Sequence, residues 1–223
     1  NESVAGYYPD RWVTKSGNNA DGSGTFGRKA QRKVVVQQLK SEIDTNQAIR
    51  EDQRNYNVLA TPGYPELIQN MINLNTDRNN TSFIIGDTPF RLEGTSTAIQ
   101  NYANNTANST DNDEDGLVSS SELLGMFYPS GLTTDNGTAV GFIEASTGEF
   151  KTISVTESIR DTMHTSKINP ITFFAGAGIV NFGNLTKTSA TSALDRINVS
   201  RLTVFLRSQL DAIAKPFIFE PND

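Results

Sequence analysis

The chain has 223 residues, of which 36% are hydrophobic and 20% are charged, a composition typical of a folded globular protein. It carries 19 basic and 25 acidic residues, a net charge of −6, which makes it a poor binder of nucleic acid, because phosphate contacts need clustered Lys and Arg. Cysteine is absent and His164 is the single histidine, so disulfide scaffolds, thiolate metal sites and histidine clusters are excluded. No apolar run approaches the ~20 residues that a membrane-spanning helix needs.

The first half of the chain predicts alternating helices and strands after an extended loop segment at 1–28, which is rich in Gly, Ser and Asn. Apolar periodicity and breaker residues predict helices at 29–54, 65–74 and 95–107, and strands at 56–60 and 82–87. This order favours an α/β (α+β) fold, in which a mixed β-sheet is flanked by helices on both faces.

The second half predicts a strand ending at 126–129, two strands at 171–174 and 178–183, and a final β-type segment at 217–220. Between them, residues 196–213 predict an amphipathic helix. Its apolar face would carry Leu202, Phe205, Leu206, Leu210 and Ile213. We therefore divide the chain into a loop segment at 1–28, an α/β core domain at 29–165 and a smaller α+β domain at 166–223.

An acidic segment at 111–122 matches the twelve-residue calcium loop D-x-[DN]-x-[DN]-G-x5-E at every required position. Calcium prefers six to eight oxygen ligands, which carboxylates and backbone carbonyls supply. The predicted Ca²⁺ ligands are the carboxylates of Asp111, Asp113, Asp115 and Glu122 and the carbonyl of Leu117. The alternative is a solvated acidic surface loop, and the weak helix-forming sequence at 104–110 supports that alternative.

Two other patterns give weaker indications of chemistry. Residues 22–27 have the G-x-G-x-x-G spacing of a dinucleotide-binding loop, but no buried strand precedes the glycines, as that mechanism requires. His164 has Ser and Asp neighbours in sequence, but the chain contains no Gly-x-Ser-x-Gly elbow for a hydrolase nucleophile. We therefore predict no enzymatic activity and no required cofactor.

Three segments near the C-terminus, in the same order, resemble signature motifs of contractile tail sheath proteins. They are Gly-Ile-Val-Asn-Phe-Gly-Asn-Leu-Thr at 178–186, Arg-Ile-Asn-Val-Ser-Arg-Leu at 196–202 and Phe-Ile-Phe-Glu-Pro-Asn-Asp at 217–223. Upstream, residues 56–63, 83–89 and 127–129 are similar to core segments of the same family. One departure is Asn184-Leu185, where an arginine usually precedes the threonine.

The resemblance implies a structural subunit of a bacteriophage tail sheath rather than an enzyme. Its partners would be other sheath subunits in stacked hexameric rings, the tail tube protein and the baseplate. Contraction of the sheath would drive the tube through the host envelope. The location would be the virion, with assembly in the host cytoplasm.

The chain stops on a motif after which the family continues, so the resemblance implies a fragment with a truncated C-terminal domain and without the terminal arms. We expect such a fragment to be a monomer in dilute solution. Two alternatives remain open at this stage. One is the sheath of a pyocin or type VI secretion-like apparatus, and the other is a calcium-binding extracellular module built around residues 111–122.

Overall fold

The computed structural model describes residues 28–51, 54–105, 116–117, 119–130, 140–144 and 149–217. Within these residues, none of the helices is long and apolar enough to cross a membrane. The helices are α1 (Arg28–Thr45), α2 (Ile68–Asp77), α3 (Ser96–Ala103), α4 (Glu157–Thr165) and α5 (Ile197–Ala214). The strands are β1 (Val58–Ala60), β2 (Phe83–Asp87), β3 (Leu124–Tyr128), β4 (Gly141–Ile143), β5 (Phe150–Thr152), β6 (Asn169–Phe174) and β7 (Gly178–Asn181).

Five of the strands form one mixed sheet in the order β1-β2-β3-β6-β7. The first four are parallel to one another, and β7 pairs antiparallel to β6 as a hairpin. β4 and β5 form a separate antiparallel pair. The predicted mixed α/β architecture is confirmed.

The main core lies between one face of this sheet and helices α2, α3 and α4. It is built from Ile84, Leu124, Met126 and Tyr128 of the sheet and from Ile68, Met71, Ile99, Tyr102 and Met163 of the helices. A smaller cluster on the opposite face joins Phe83 and Leu123 to Val204 of α5. Helices therefore pack against both faces of the sheet, as the sequence predicted.

Local capping explains where several helices begin and end. Thr95 and Thr156 accept hydrogen bonds from Ala98 N and Ile159 N and so cap α3 and α4. α1 ends at Thr45, nine residues earlier than predicted. The reason is Arg50, whose guanidinium donates to the carbonyls of Ile43 and Asn46 and so satisfies the free end of the helix.

Three features differ from the prediction or were missed by it. α4 was missed because its sequence is largely polar and only Met163 in it is fully buried. The short β4–β5 pair was also missed. The predicted final strand is wrong at Phe217, which lies in a 3₁₀ turn, Lys215–Phe217, that continues directly from α5; residues 218–220 lie outside the described residues.

The predicted domain boundary between 165 and 166 falls between α4 and β6. β6 nevertheless pairs with β3, through Phe127 opposite Asn169 and Tyr128 opposite Pro170, so one sheet spans both sides of the boundary. The division into two domains stays a prediction.

β2 ends at Asp87, whose Oδ2 accepts a hydrogen bond of 2.9 Å from Gly63 N in the turn before α2. Burial raises the pKa of the Asp87 carboxyl, and the Gly63 N–H opposes part of this shift. The raised pKa means that the folded state favours the neutral carboxyl. This stabilisation is fully present below the unfolded pKa and is lost as the pH rises through the folded pKa.

We therefore expect Asp87→Asn, which keeps an oxygen for Gly63 N, to raise the melting temperature at pH 7. The gain should shrink as the pH falls through the raised pKa of the folded wild-type carboxyl, and it should be absent below ~4, where that carboxyl is neutral in both states. Thermal unfolding of both proteins followed by circular dichroism between pH 3 and 8 measures this difference. A lower melting temperature for the variant at pH 7 would contradict the expectation.

Candidate functional site

The first signature-like segment, 178–186, forms β7 and the loop that leads back to the sheet. Gly176 and Gly178 have φ values of +86° and +76°, which an L side chain rarely adopts, and they make the tight turn from β6 into β7. After β7 the chain turns inward, and Leu185 and Thr186 are buried. The motif therefore combines a largely half-buried strand with two buried residues at its end.

Asn169, at the start of β6, fixes this loop to the sheet. Its Nδ2 donates to Met126 O at 2.9 Å and to Leu185 O at 2.8 Å, and its Oδ1 accepts from Leu185 N at 2.8 Å. A Cβ atom on Gly183 would lie 2.5 Å from Asn169 Cβ and 2.7 Å from Asn169 Cα. Only glycine therefore fits where the loop crosses the asparagine.

Asn184 joins the first signature-like segment to the second. Its backbone carbonyl accepts from Ile197 N and its Oδ1 accepts from Asn198 N, which are two of the unpaired donors at the first turn of α5. The Asn184 amide also donates to Asn198 Oδ1 at 3.0 Å. The residue at which the sequence departs from the family pattern thus caps α5 from outside the helix.

α5 packs across the sheet with its more polar side inward. Ser200, which is fully buried, donates to Glu122 O at 2.6 Å, and Val204 packs into the smaller core cluster. Arg201 donates to Asn57 O and Arg207 to Asn80 O, both at 3.1 Å. α5 is thereby held along one side by hydrogen bonds and one buried valine.

The predicted apolar face of α5 lies on the other side of the helix. Its five side chains are 49–64% exposed: Leu202, Phe205, Leu206, Leu210 and Ile213. We call these five residues the outer face of α5. Scattered exposed apolar residues are ordinary, but a continuous stripe of this kind is typical of an interaction surface.

A groove of about 630 Å³ lies between α4 and the loop after β7. Arg160 of α4 stands 5.8 Å from the ring centre of Phe174 and 5.5 Å from that of Phe182. His164 lines the groove and is exposed, as are its neighbours on the helix, Glu157 and Asp161. The groove holds charged and aromatic groups but, among the described residues, no serine hydrogen-bonded to His164.

Only two of the five predicted calcium ligands, Leu117 and Glu122, lie within the described residues. Asp111, Asp113 and Asp115 lie outside the described residues, as does the glycine pattern at 22–27. The Leu117 side chain is buried in the main core, and Glu122 is half-buried. Where the chain is described, no three His, Cys, Asp or Glu side chains are grouped to hold a metal ion. The calcium site stays a prediction.

If the loop binds Ca²⁺, millimolar calcium should stabilise the folded protein by ~2.7 kcal/mol at a hundredfold excess over Kd. For a chain of this size that corresponds to a rise in melting temperature of roughly 5–10 °C. A chelator should reverse the rise, and Glu122→Ala should abolish it, whereas Glu157→Ala on the exposed side of α4 should not. A melting temperature that changes with neither calcium nor chelator would contradict the calcium site and favour the solvated acidic surface loop.

Comparison with known proteins gives matches to tail sheath proteins, although no family model matches the chain. The chain is 45% identical over 64 residues to the tail sheath protein of Vibrio phage KVP40, and 38% identical over 71 residues to that of Enterobacteria phage T4. These segments cover 29% and 32% of this chain and 10% and 11% of the relatives. The chain thus spans about a tenth of the length of the curated relatives it matches.

The fold is similar to that of solved contractile-system structures over most of the chain. The match to a chain of the anti-feeding prophage baseplate has a TM-score of 0.51 at 16% identity and covers 85% of this chain and 59% of that one. The match to the contracted helical sheath of the same prophage has a TM-score of 0.50 at 15% identity and covers 92% and 58%.

A third similar structure is the contracted PVC sheath complex of an extracellular contractile injection system, with a TM-score of 0.50 at 15% identity, covering 82% of this chain and 53% of that one. Sequence relatives and fold lead to the same group of proteins. Over about a third of its length the chain is thus similar in sequence to phage tail sheath proteins, and its fold is similar to that of contractile-system structures.

Proposed function

We propose that the chain is part of a structural subunit of a contractile phage tail sheath. The subunits would polymerise as stacked rings around the tail tube and contract to drive the tube through the host envelope. The observation that carries this proposal is the sequence match to phage tail sheath proteins, which no other reading of the chain explains.

The sheet topology supports a mechanical role. The four parallel strands advance across the described sheet without a reversal of order, so the sheet has no switch point of the kind where open α/β sheets bind ligands. Contraction would instead proceed by rigid-body movement at subunit interfaces, a switching mode that needs no active site. We propose no enzymatic role and no required cofactor.

The partners in this proposal are neighbouring sheath subunits, the tail tube protein and the baseplate. The similarity to a chain of a baseplate structure supports the last of these. The location would be the virion, after assembly in the host cytoplasm. A calcium-binding extracellular module is the weaker alternative, because it gives no account of the match to tail sheath proteins.

Expression of the full-length subunit tests the proposal directly. We expect long hollow tubes by negative-stain electron microscopy, and tubes filled by a rigid core when the tail tube protein is co-expressed. Capsid genes beside the coding sequence would favour a phage over a pyocin or type VI-like apparatus. A full-length subunit that stays monomeric at high concentration, with or without tube protein, would contradict a sheath role.

A further inference from the structure

A second groove, of about 690 Å³, lies between α5 and the segments next to β1 and α2. Of the residues that line it, Tyr56 lies shortly before β1, Arg78 directly follows α2, and Arg207 belongs to α5. We call this space the α5 groove. Among the described residues that line it, only Leu210 and Ala212 are apolar, so the α5 groove is suited to a polar ligand.

Arg78 brings a buried positive charge to this groove, since it is only 8% exposed. Its guanidinium donates to Ile49 O, Glu51 O and Arg54 O at 2.7–3.1 Å and lies 4.1 Å from the centre of the Tyr56 ring. Within the described part of the chain, its Nε has no hydrogen-bond partner and no carboxylate pairs with it. Buried charges are normally paired, so this unbalanced guanidinium favours a nearby anion.

Arg207 adds a second positive charge from the side of α5. It donates to Asn80 O at 3.1 Å, and no carboxylate of the described residues pairs with it. Lys215 and Asp211 also line the groove, but they pair with each other at 2.9 Å, so their charges cancel. Hydrogen bonds to carbonyls orient a guanidinium without neutralising it, because a carbonyl carries no net charge. The described lining of the α5 groove therefore has a charge of +2.

We infer that the α5 groove is a binding site for an oxyanion group, a phosphate or a carboxylate. A guanidinium presents several N–H donors in one plane, an arrangement that matches two oxygen atoms of such a group. The anion would be held between α5 and the segment after α2, where it would balance the charges of Arg207 and Arg78. This inference goes beyond the proposed sheath function and does not depend on it.

Thermal unfolding of the 223-residue chain in sodium phosphate and in sodium chloride of equal ionic strength tests the site. A ligand that binds only the folded state raises the melting temperature, by roughly 3–6 °C when phosphate is tenfold above its Kd. Sodium succinate forms a parallel series. A rise with both anions would show that carboxylates are accepted, and a rise with phosphate alone would show a phosphate site. No rise with either anion would overturn the inference.

The decisive variant is Arg207→Gln, which removes one charge from the groove and keeps an amide donor for Asn80 O. Its affinity for phosphate should fall roughly tenfold or more, the usual effect of losing one hydrogen bond to a charged group. Arg201→Gln is the matched control, because Arg201 also lies on α5 and donates to a carbonyl, Asn57 O, at 3.1 Å, but does not line the groove. Equal rises in the wild type and both variants would show a general salt effect and overturn the inference.

Two further variants test the sign of the effect and the source of the anion. Asp211→Asn removes an acidic side chain from the groove lining, so the affinity for phosphate should rise several-fold, and a fall would overturn the inference. Asp52, Glu220 and Asp223 lie outside the described residues and close in sequence to the groove segments. Replacing all three by their amides should leave the affinity unchanged. A marked gain would show that carboxylates of the chain itself fill the groove, and it would overturn a site for a separate ligand.

Discussion

Replacing Asn169 by leucine is expected to destabilise the protein by about 3 to 5 kcal/mol, because it leaves two buried backbone groups, Leu185 N and Leu185 O, without their side-chain partner. The amide of Asn169 now satisfies both at 2.8 Å, and it gives Met126 O a further hydrogen bond of 2.9 Å. For a chain of this length the melting temperature should fall by roughly 10 °C. Thermal and urea unfolding measure the loss.

The matched control is Asn73→Leu, on the exposed side of α2, where, among the described residues, the asparagine side chain accepts one hydrogen bond, from the side chain of Gln69. A surface change of this kind should alter stability by less than ~0.5 kcal/mol. Equal losses in the two variants would show that the buried amide network does not hold the signature loop to the sheet.

Elements with strong local signals were predicted correctly. Three such signals are the apolar run of β2, the proline that opens the 3₁₀ turn Pro65–Leu67 leading into α2, and the periodic apolar residues of α5. Such signals depend on the chain near each residue, so they can be identified before the fold is known. The mixed sheet with helices on both faces follows from their order.

Asn169 could not be identified in this way. Its partners Met126 and Leu185 lie 43 and 16 residues away, and nothing in its own neighbourhood marks it as a buried amide. In the sequence, Gly183 stood out only because it lies in a segment that resembles a family motif. The structure gives the physical reason for a glycine at this position, which is the close approach of the backbone to Asn169. A position whose partners lie far away in the sequence can be identified only when the folded structure is known.

The way in which the apolar side of α5 faces shows a second limit of sequence patterns. The periodicity of its apolar residues located the face correctly, but periodicity is the same whether that face is covered by the same chain or by a partner. Only the hydrogen bonds of Ser200, Arg201 and Arg207 show that the polar side is turned inward. The outward orientation of the apolar face could therefore be identified only from the structure.

A second large loss of stability is expected when the ion pair that joins α1 to the turn before α2 is broken. Arg32 and Glu66 pair through two hydrogen bonds, Nε to Oε1 at 2.9 Å and Nη2 to Oε2 at 3.0 Å, with side chains only 5% and 2% exposed. Arg32 also donates to Gly63 O and lies 4.8 Å from the centre of the Tyr64 ring.

We expect Glu66→Ala to cost about 3 to 5 kcal/mol, because it leaves a buried guanidinium without its carboxylate. The double variant Arg32→Met with Glu66→Met should cost much less, since replacing a buried pair by apolar residues of similar volume is often close to neutral. Urea unfolding of the wild type, Arg32→Met, Glu66→Met and the double variant gives the coupling energy directly. Additive losses would show that the two charges are stabilised separately, so that α1 is held to the body by Val36 and its apolar neighbours instead.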